Sequence, residues 1–145
     1  WEFQGKDRRV FRDSLARVYK RGQEAMEATR EEQTAEAYHE WRKRVKYLWH
    51  QVQVLEPTAP QVLKKYAKSL KALADALGED HDFALIEEEL LHAHTELSDA
   101  AQTKLKQQIA REQRKRRLEA FRLGERIYIE PPKTFTQRLE KYFMG

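Results

Sequence analysis

An all-α antiparallel helical bundle of about five helices plus a short C-terminal helix is the fold this sequence predicts, and two observations predict it. Ala, Leu, Glu, Lys, Arg and Gln dominate the 145 residues, with only four prolines and five glycines, which is the composition of long helices with few breaks. Apolar residues recur at alternating steps of three and four between short polar connections, so each segment carries one stripe to bury. Helices of that kind joined by short loops pack antiparallel. The length allows a single domain over residues 1–145 with one hydrophobic core.

The first helix is expected from about Lys6 to Ala28, with Phe11, Leu15, Val18, Gly22 and Ala25 on one face and Arg9, Arg12 and Lys20 on the opposite one. Thr29 to Thr34 reads as its exit loop. The second, about Ala35 to Leu55, ends before Pro57 and places Trp41, Val45, Leu48, Val52 and Leu55 on one face. Thr58-Ala59-Pro60-Gln61 reads as a capping box opening a third helix, whose core stripe is Leu63, Tyr66, Leu70, Leu73 and Leu77. In Leu77-Gly78-Glu79-Asp80-His81-Asp82, Gly78 reads as a left-handed stop and Asp80 as the cap of a fourth helix, which makes the third and fourth a tight hairpin. That fourth helix, about Asp82 to Leu97, is expected to bury Phe83, Ile86 and Leu90 and to expose Glu87-Glu88-Glu89.

Asp99-Ala100-Ala101-Gln102 reads as a capping box for a fifth helix, about Ala101 to Ile127. There Leu105, Ile109, Leu123 and Ile127 agree on a face, while Leu118 and Phe121 point to a second contact. Pro131-Pro132 breaks the chain, and Thr134-Phe135-Thr136-Gln137 opens a terminal helix with Phe135, Leu139 and Tyr142 inward. Trp1-Glu2-Phe3 has no helical context and reads as a boundary cut from a larger chain, or as a tag remnant.

Without cysteine, neither a disulfide framework nor a thiolate zinc site can form, and a reducing cytoplasm is the expected setting. No apolar run approaches the ~20 residues that cross a bilayer, so no membrane association is expected. The 28 Lys and Arg exceed the 24 Asp and Glu by only four, so the case for an anionic partner rests on where the charges sit.

They sit in rows. On the second helix His39, Arg42, Lys43, Lys46 and His50 share a sector roughly 100° wide, its centre some 140° from the apolar stripe. On the third, Lys64, Lys68 and Lys71 lie opposite the core stripe, with Lys65 beside them, and Arg9, Arg12 and Lys20 do so on the first. The fifth carries Arg111, Arg114, Lys115, Arg116, Arg117, Arg122 and Arg126. Basic residues opposite a core stripe are ordinarily a solvated face. Three helices repeating the design, with the acidic run displaced onto the fourth, weigh against that reading.

His39-x-x-Arg42-Lys43-x-x-Lys46-Tyr47, together with Leu73-x-x-x-Leu77-Gly78-x-x-His81-Asp82 and, upstream, Tyr19-Lys20-Arg21-Gly22, resembles the CHAD family, the conserved histidine α-helical domain. The resemblance implies a non-catalytic domain that binds inorganic polyphosphate and needs no metal or cofactor, often beside a CYTH triphosphate-hydrolase domain in one polypeptide. Family members are about twice this long and look like two similar four-helix bundles facing each other across a basic channel. This chain looks like the C-terminal one of the two, which alone presents an open basic face, or which pairs as a homodimer to rebuild a channel. Carried over by position, the anion-binding residues are His39, Arg42, Lys43 and Lys46, with Arg9, Arg12 and Lys20. Lys64, Lys68 and Lys71 join them by facing, and Arg122 and Arg126 are weaker candidates. A cytoplasmic location, in association with polyphosphate granules, follows from the same likeness.

The chemistry suits such a ligand. Polyphosphate is flexible, carries about one charge per phosphate and has no base to read, so its binder needs many charge-assisted contacts on a rigid support. His39 adds a donor whose charge grows toward acidic pH, so binding is expected to strengthen as pH falls. Two rivals remain. The same rows would hold a nucleic-acid backbone, although nothing here supplies sequence readout. His81-Asp82, with His39 or His50 and Asp99, nominally matches the metal set of the helical HD phosphohydrolases. His92 and His94, two apart, point to different faces of a helix and do not form a shared ligand site.

Overall fold

The computed structural model describes residues 5–93 and 96–143; Trp1-Glu2-Phe3 and His94 lie outside them. The described chain is all-α, without a strand. It consists of α1 (Gly5–Glu32), α2 (Ala35–Leu55), a 3-10 turn (Glu56–Thr58), α3 (Pro60–His92), α4 (Asp99–Ile127) and α5 (Pro132–Phe143).

α1 runs four residues past the expected Ala28 and stops at Gln33, whose φ of 50° is left-handed. The Gln33 N–H closes the last turn on the Thr29 carbonyl at 2.8 Å. Thr34 then caps α2, its hydroxyl accepting from the Ala37 N–H at 3.1 Å. Thr29 is no loop residue. It is fully buried, and its hydroxyl lies 2.7 Å from the Ala25 carbonyl and 3.0 Å from that of Ala37, tying α1 to α2. With Gln51 donating to Ser14 near the other end, the two helices run antiparallel.

The apolar stripe of α2 is buried as expected: Trp41, Val45, Leu48, Val52 and Leu55 all face the core. Leu63, Leu70, Leu73 and Leu77 of α3 meet it, and Tyr66 packs beside them with its hydroxyl donating to the Ile127 carbonyl at 3.2 Å. On α1 the core is carried by Leu15, Tyr19, Gly22 and Met26, with Phe11, Val18 and Ala25 at its margin. Tyr19 is the centre of the closing contact. It stacks on Phe135 of α5 (centroids 4.2 Å apart), meets Tyr128 edge-on and donates to the Glu130 carbonyl at 2.8 Å.

Three expectations are corrected. α3 is one helix through Gly78, which has no positive φ, so there is no hairpin at 78–82 and the expected third and fourth helices are one. Asp80 does not cap a helix. Its carboxylate is buried and takes the Arg117 guanidinium of α4 at 2.8 Å instead of its own backbone N–H groups, and so the helix continues. Because α2 begins only at Ala35, the far part of α3 extends beyond it. Ile86 is therefore 45% exposed, and Phe83 and Leu90 are only partly covered.

Caps differ as well. The Thr58 hydroxyl donates backward to the Leu55 carbonyl at 2.6 Å, and α3 starts from Ala59 with no side-chain cap. α4 is capped one residue early, by Ser98 accepting from Ala101. α5 begins at Pro132, two residues before Thr134, and the Thr136 hydroxyl turns back to the Pro132 and Lys133 carbonyls. Tyr142 and Leu118, expected to make contacts, are half and 73% exposed, whereas Phe121 does pack, 5.0 Å from Trp41. None of the described helices is long and apolar enough to cross a membrane.

Candidate functional site

The polar face of α2 meets α3 at two points that define the site. The His39 and His81 rings lie 4.9 Å apart with planes inclined by 31°. One turn along, the Arg42 guanidinium lies over Gly78, where a Cβ would stand 3.3 Å from Nε and Nη2. Each step forward on α2 is a step back on α3, so the helices are antiparallel and in fixed register. The residues the sequence singled out as two separate motifs are thus one structural unit.

His39, Arg42, Lys43, Lys46, Tyr47 and His50 line an open depression of about 270 Å³ on this face. Four of these were expected at an anion site. His50 was read as part of the cationic stripe and as a nominal metal ligand, and Tyr47, nearly half exposed, only as part of the motif. His81 was read as part of the second motif and as half of a metal dyad, not as a neighbour of His39. Its place beside His39 is a tertiary fact that single-helix periodicity does not contain.

The third helix contributes along the same side. Lys64, Lys71 and Gly78 are seven apart and fall within about 40° of one another, with Lys68 within about 80° of Gly78. In the register set by Arg42 and Gly78, Lys71 is level with Trp49 and His50. Its ammonium is partly neutralised by Asp75 at 3.0 Å.

The first helix does not join them. Arg12 ion-pairs with Glu140 of α5 at 3.2 Å, while Ser14 faces Gln51 of α2. Arg9 and Lys20 fall within about 80° of Arg12 and at least about 120° from Ser14, so this row looks out on the α5 side of the bundle. Lys20 also sits 3.8 Å from Glu24. On α4, Arg122 is held by Glu119, which lies at 2.9 Å from its Nε.

Charge pairing separates the rows. Among the described residues, no carboxylate is within ion-pairing reach of His39, Arg42, Lys43, Lys46 or His50. Arg44, on the other flank of α2, is taken by Glu40 at 2.8 Å. The support beneath the face is firm: Arg117 holds Asp80 and lies 4.3 Å from the Tyr38 ring centroid, and Gln113 donates to the Asp80 carbonyl. Burial pushes the Asp80 carboxyl upward against the pull of Arg117, and burial likewise raises the Tyr38 phenol.

His81 and Asp82 occupy successive positions on α3, about 100° apart, and Asp99 opens α4 beyond the end of α3. Among the described residues, no three His, Cys, Asp or Glu side chains come together as a metal site.

The family described as CHAD domain matches residues 2–91 of the chain, more than half of its length. No curated protein and no solved structure matches the chain. The matched segment takes in α1, α2 and all but the last residue of α3, so the face built by His39, Arg42, Gly78 and His81 lies within it.

Proposed function

We propose, from the premise that the chain belongs to the CHAD-domain family, that its α2–α3 face binds inorganic polyphosphate without turning it over. The family is associated with polyphosphate binding in general. One observation carries the assignment to this face: His39, Arg42, Lys43 and Lys46 share one depression and, among the described residues, have no carboxylate within ion-pairing reach. Unpaired cations on a rigid helix hold their charge ready for an external anion, whereas paired ones would first have to give up a partner.

The binding chemistry follows. Arg42 offers planar Nη donors to phosphate oxygens, and Lys43 and Lys46 act as point charges on either side of it. Lys64, Lys68 and Lys71 extend the strip along α3, giving a flexible polyanion a track two helices wide. No stacking platform or base-reading group is required.

Titration of the chain with polyphosphate of defined length across a salt series tests this. With four or five phosphates neutralised, the association constant should fall about 10²-fold between roughly 50 and 200 mM salt. A flat salt response refutes the mechanism. Competition by single-stranded RNA at equal phosphate concentration should be weak, and displacement by RNA at parity would make the face a nucleic-acid site instead.

A further inference from the structure

We infer that Gly78 is a positioning residue for Arg42: its missing side chain lets the guanidinium come up close against α3 and so aims the charge into the depression. The inference rests on the polyphosphate reading and names a residue that would itself touch no phosphate.

Gly78 sits well inside α3, with a helical backbone and no positive φ, so neither a turn nor a cap explains a glycine there. Glycine is the weakest helix former after proline, and its presence mid-helix calls for a packing reason. The reason is visible. A Cβ at this position would stand 3.3 Å from Arg42 Nε, 3.3 Å from Nη2 and 3.5 Å from Cζ. With both nitrogens nearer than Cζ, the guanidinium meets the glycine obliquely along its Nε–Nη2 edge. The two nitrogen contacts are tighter than a Cβ normally makes. Even a methyl group would have to lift the guanidinium by a few tenths of an ångström, and a longer side chain would displace it.

The contact also orients the charge. Arg42 Nε is sealed from solvent and has no hydrogen-bond partner among the described residues, so only the Nη end is left to meet an anion. A free arginine on a helix surface samples many rotamers and loses them on binding. Held against α3, this one has already lost them, which is how preorganisation raises affinity without a new contact. Gly22 and Gly124 make room in the same way for core side chains, Tyr128 in one case and Met26 with Trp41 in the other. Gly78 makes room for a cation beside the open depression.

A double-mutant cycle tests the inference. Gly78→Ala and Gly78→Leu are made in the whole chain, each with Arg42 intact and with Arg42→Met, and each protein is melted and titrated with polyphosphate over a salt series. Alanine and leucine are both better helix formers than glycine, so neither variant should melt below the unaltered chain through helix propensity. Affinity should nevertheless fall about threefold for alanine and about tenfold for leucine, and the salt slope should shrink by about 0.7, the share of one phosphate contact. In the Arg42→Met background neither change should alter affinity further.

Gly78→Leu binding like the unaltered chain overturns the inference while leaving the polyphosphate reading intact. Equal losses in both Arg42 backgrounds overturn it too, since Gly78 would then act on the fold and not through Arg42. If leucine prevents folding, the alanine variant completes the same cycle. Absence of salt-sensitive binding by the unaltered chain refutes the reading beneath, and the inference falls with it.

Discussion

Removing Arg117 should destabilise the bundle more than removing the carboxylate it faces, because the two ends of this ion pair are unequally buried. The Asp80 side chain is 3% exposed and that of Arg117 28%. Asp80→Ala leaves a guanidinium that still lies over the Tyr38 ring at 4.3 Å and can turn its edge to water, so the loss is that of one charged hydrogen bond, about 2 kcal/mol. Arg117→Ala strands a carboxylate in the interior, which costs about 3–5 kcal/mol. For a chain of 145 residues a kcal/mol moves the melting point by about 3 °C. Arg117→Ala should therefore melt roughly 10–15 °C lower at pH 7, and Asp80→Ala about 6 °C lower. Acid reveals the cause. Burial already raises the Asp80 carboxyl above its ordinary range, and Arg117 is the main group opposing that rise. A raised folded-state carboxyl contributes stability that is complete below the unfolded pKa and is lost as pH rises through the folded one. Without Arg117 that window extends upward, so lowering the pH from 7 to 5 should recover up to about 1.4 kcal/mol per unit in Arg117→Ala and almost none in Asp80→Ala. Thermal melts followed by helical circular dichroism at the two pH values decide it. Equal losses in the two variants, or a gap that ignores pH, would refute the reasoning.

Other parts of the molecule are open to equally direct tests. Burial pushes the Tyr19 phenol up to about 12, so its contribution to stability is complete below about pH 10 and fades as pH rises through 12. Tyr19→Phe should cost about 1 kcal/mol at neutral pH for the lost bond to the Glu130 carbonyl, and its stability should decline less steeply between those pH values. An unchanged alkaline slope would contradict this. At Gly124 a methyl group would stand 2.7 Å from Met26 Sδ and 2.8 Å from Trp41 Cζ2. Gly124→Ala should lose about 1–2 kcal/mol net despite its better helix propensity, and the loss should shrink in a Met26→Ala background. Arg42→Glu with Lys46→Glu should lower polyphosphate affinity more than about 10²-fold, while Arg9→Glu with Lys20→Glu should change it less than about threefold. Both pairs should melt within a few degrees of the unaltered chain, since none of the four side chains belongs to the core.

The α2 stripe was fully legible because its period is clean: each of the five apolar positions read from sequence is buried. The class of fold followed from composition and period alone. What the sequence misled on was punctuation. Gly78 and Asp80 carry strong local signals for a helix stop and restart, and each is claimed by a tertiary partner, Arg42 for one and Arg117 for the other. A partner across a helix interface outweighs a local preference worth about 1 kcal/mol. Tyr19 and Met26 were missed on α1 because that helix is packed by α2, α4 and α5 in turn, which widens its buried face beyond a single stripe. The candidate site was half legible. A row on one helix can be read from its period, but the placing of α3 beside it and of Arg9, Arg12 and Lys20 on the α5 side depends on which neighbour each flank meets.

That distribution explains how a chain with an excess of only four positive charges can present a cationic face. Many of its carboxylates are taken up in ion pairs away from that face. On α4, Arg116 is shared between Glu79 and Glu112, Arg117 takes Asp80, and Arg122 takes Glu119. Around α5, Arg12 takes Glu140 and Arg138 takes Glu130. Several of these pairs join one helix to another or one end of a turn to the next, and their charges cancel locally. Among the described residues the cations of the α2 depression have no such partner, so the field there is set by them and by their α3 neighbours and not by the net charge. Paired arginines brace the helices, and the unpaired row on α2 is what they hold in place. Affinity should therefore follow the charge of that row far more closely than the charge of the whole chain.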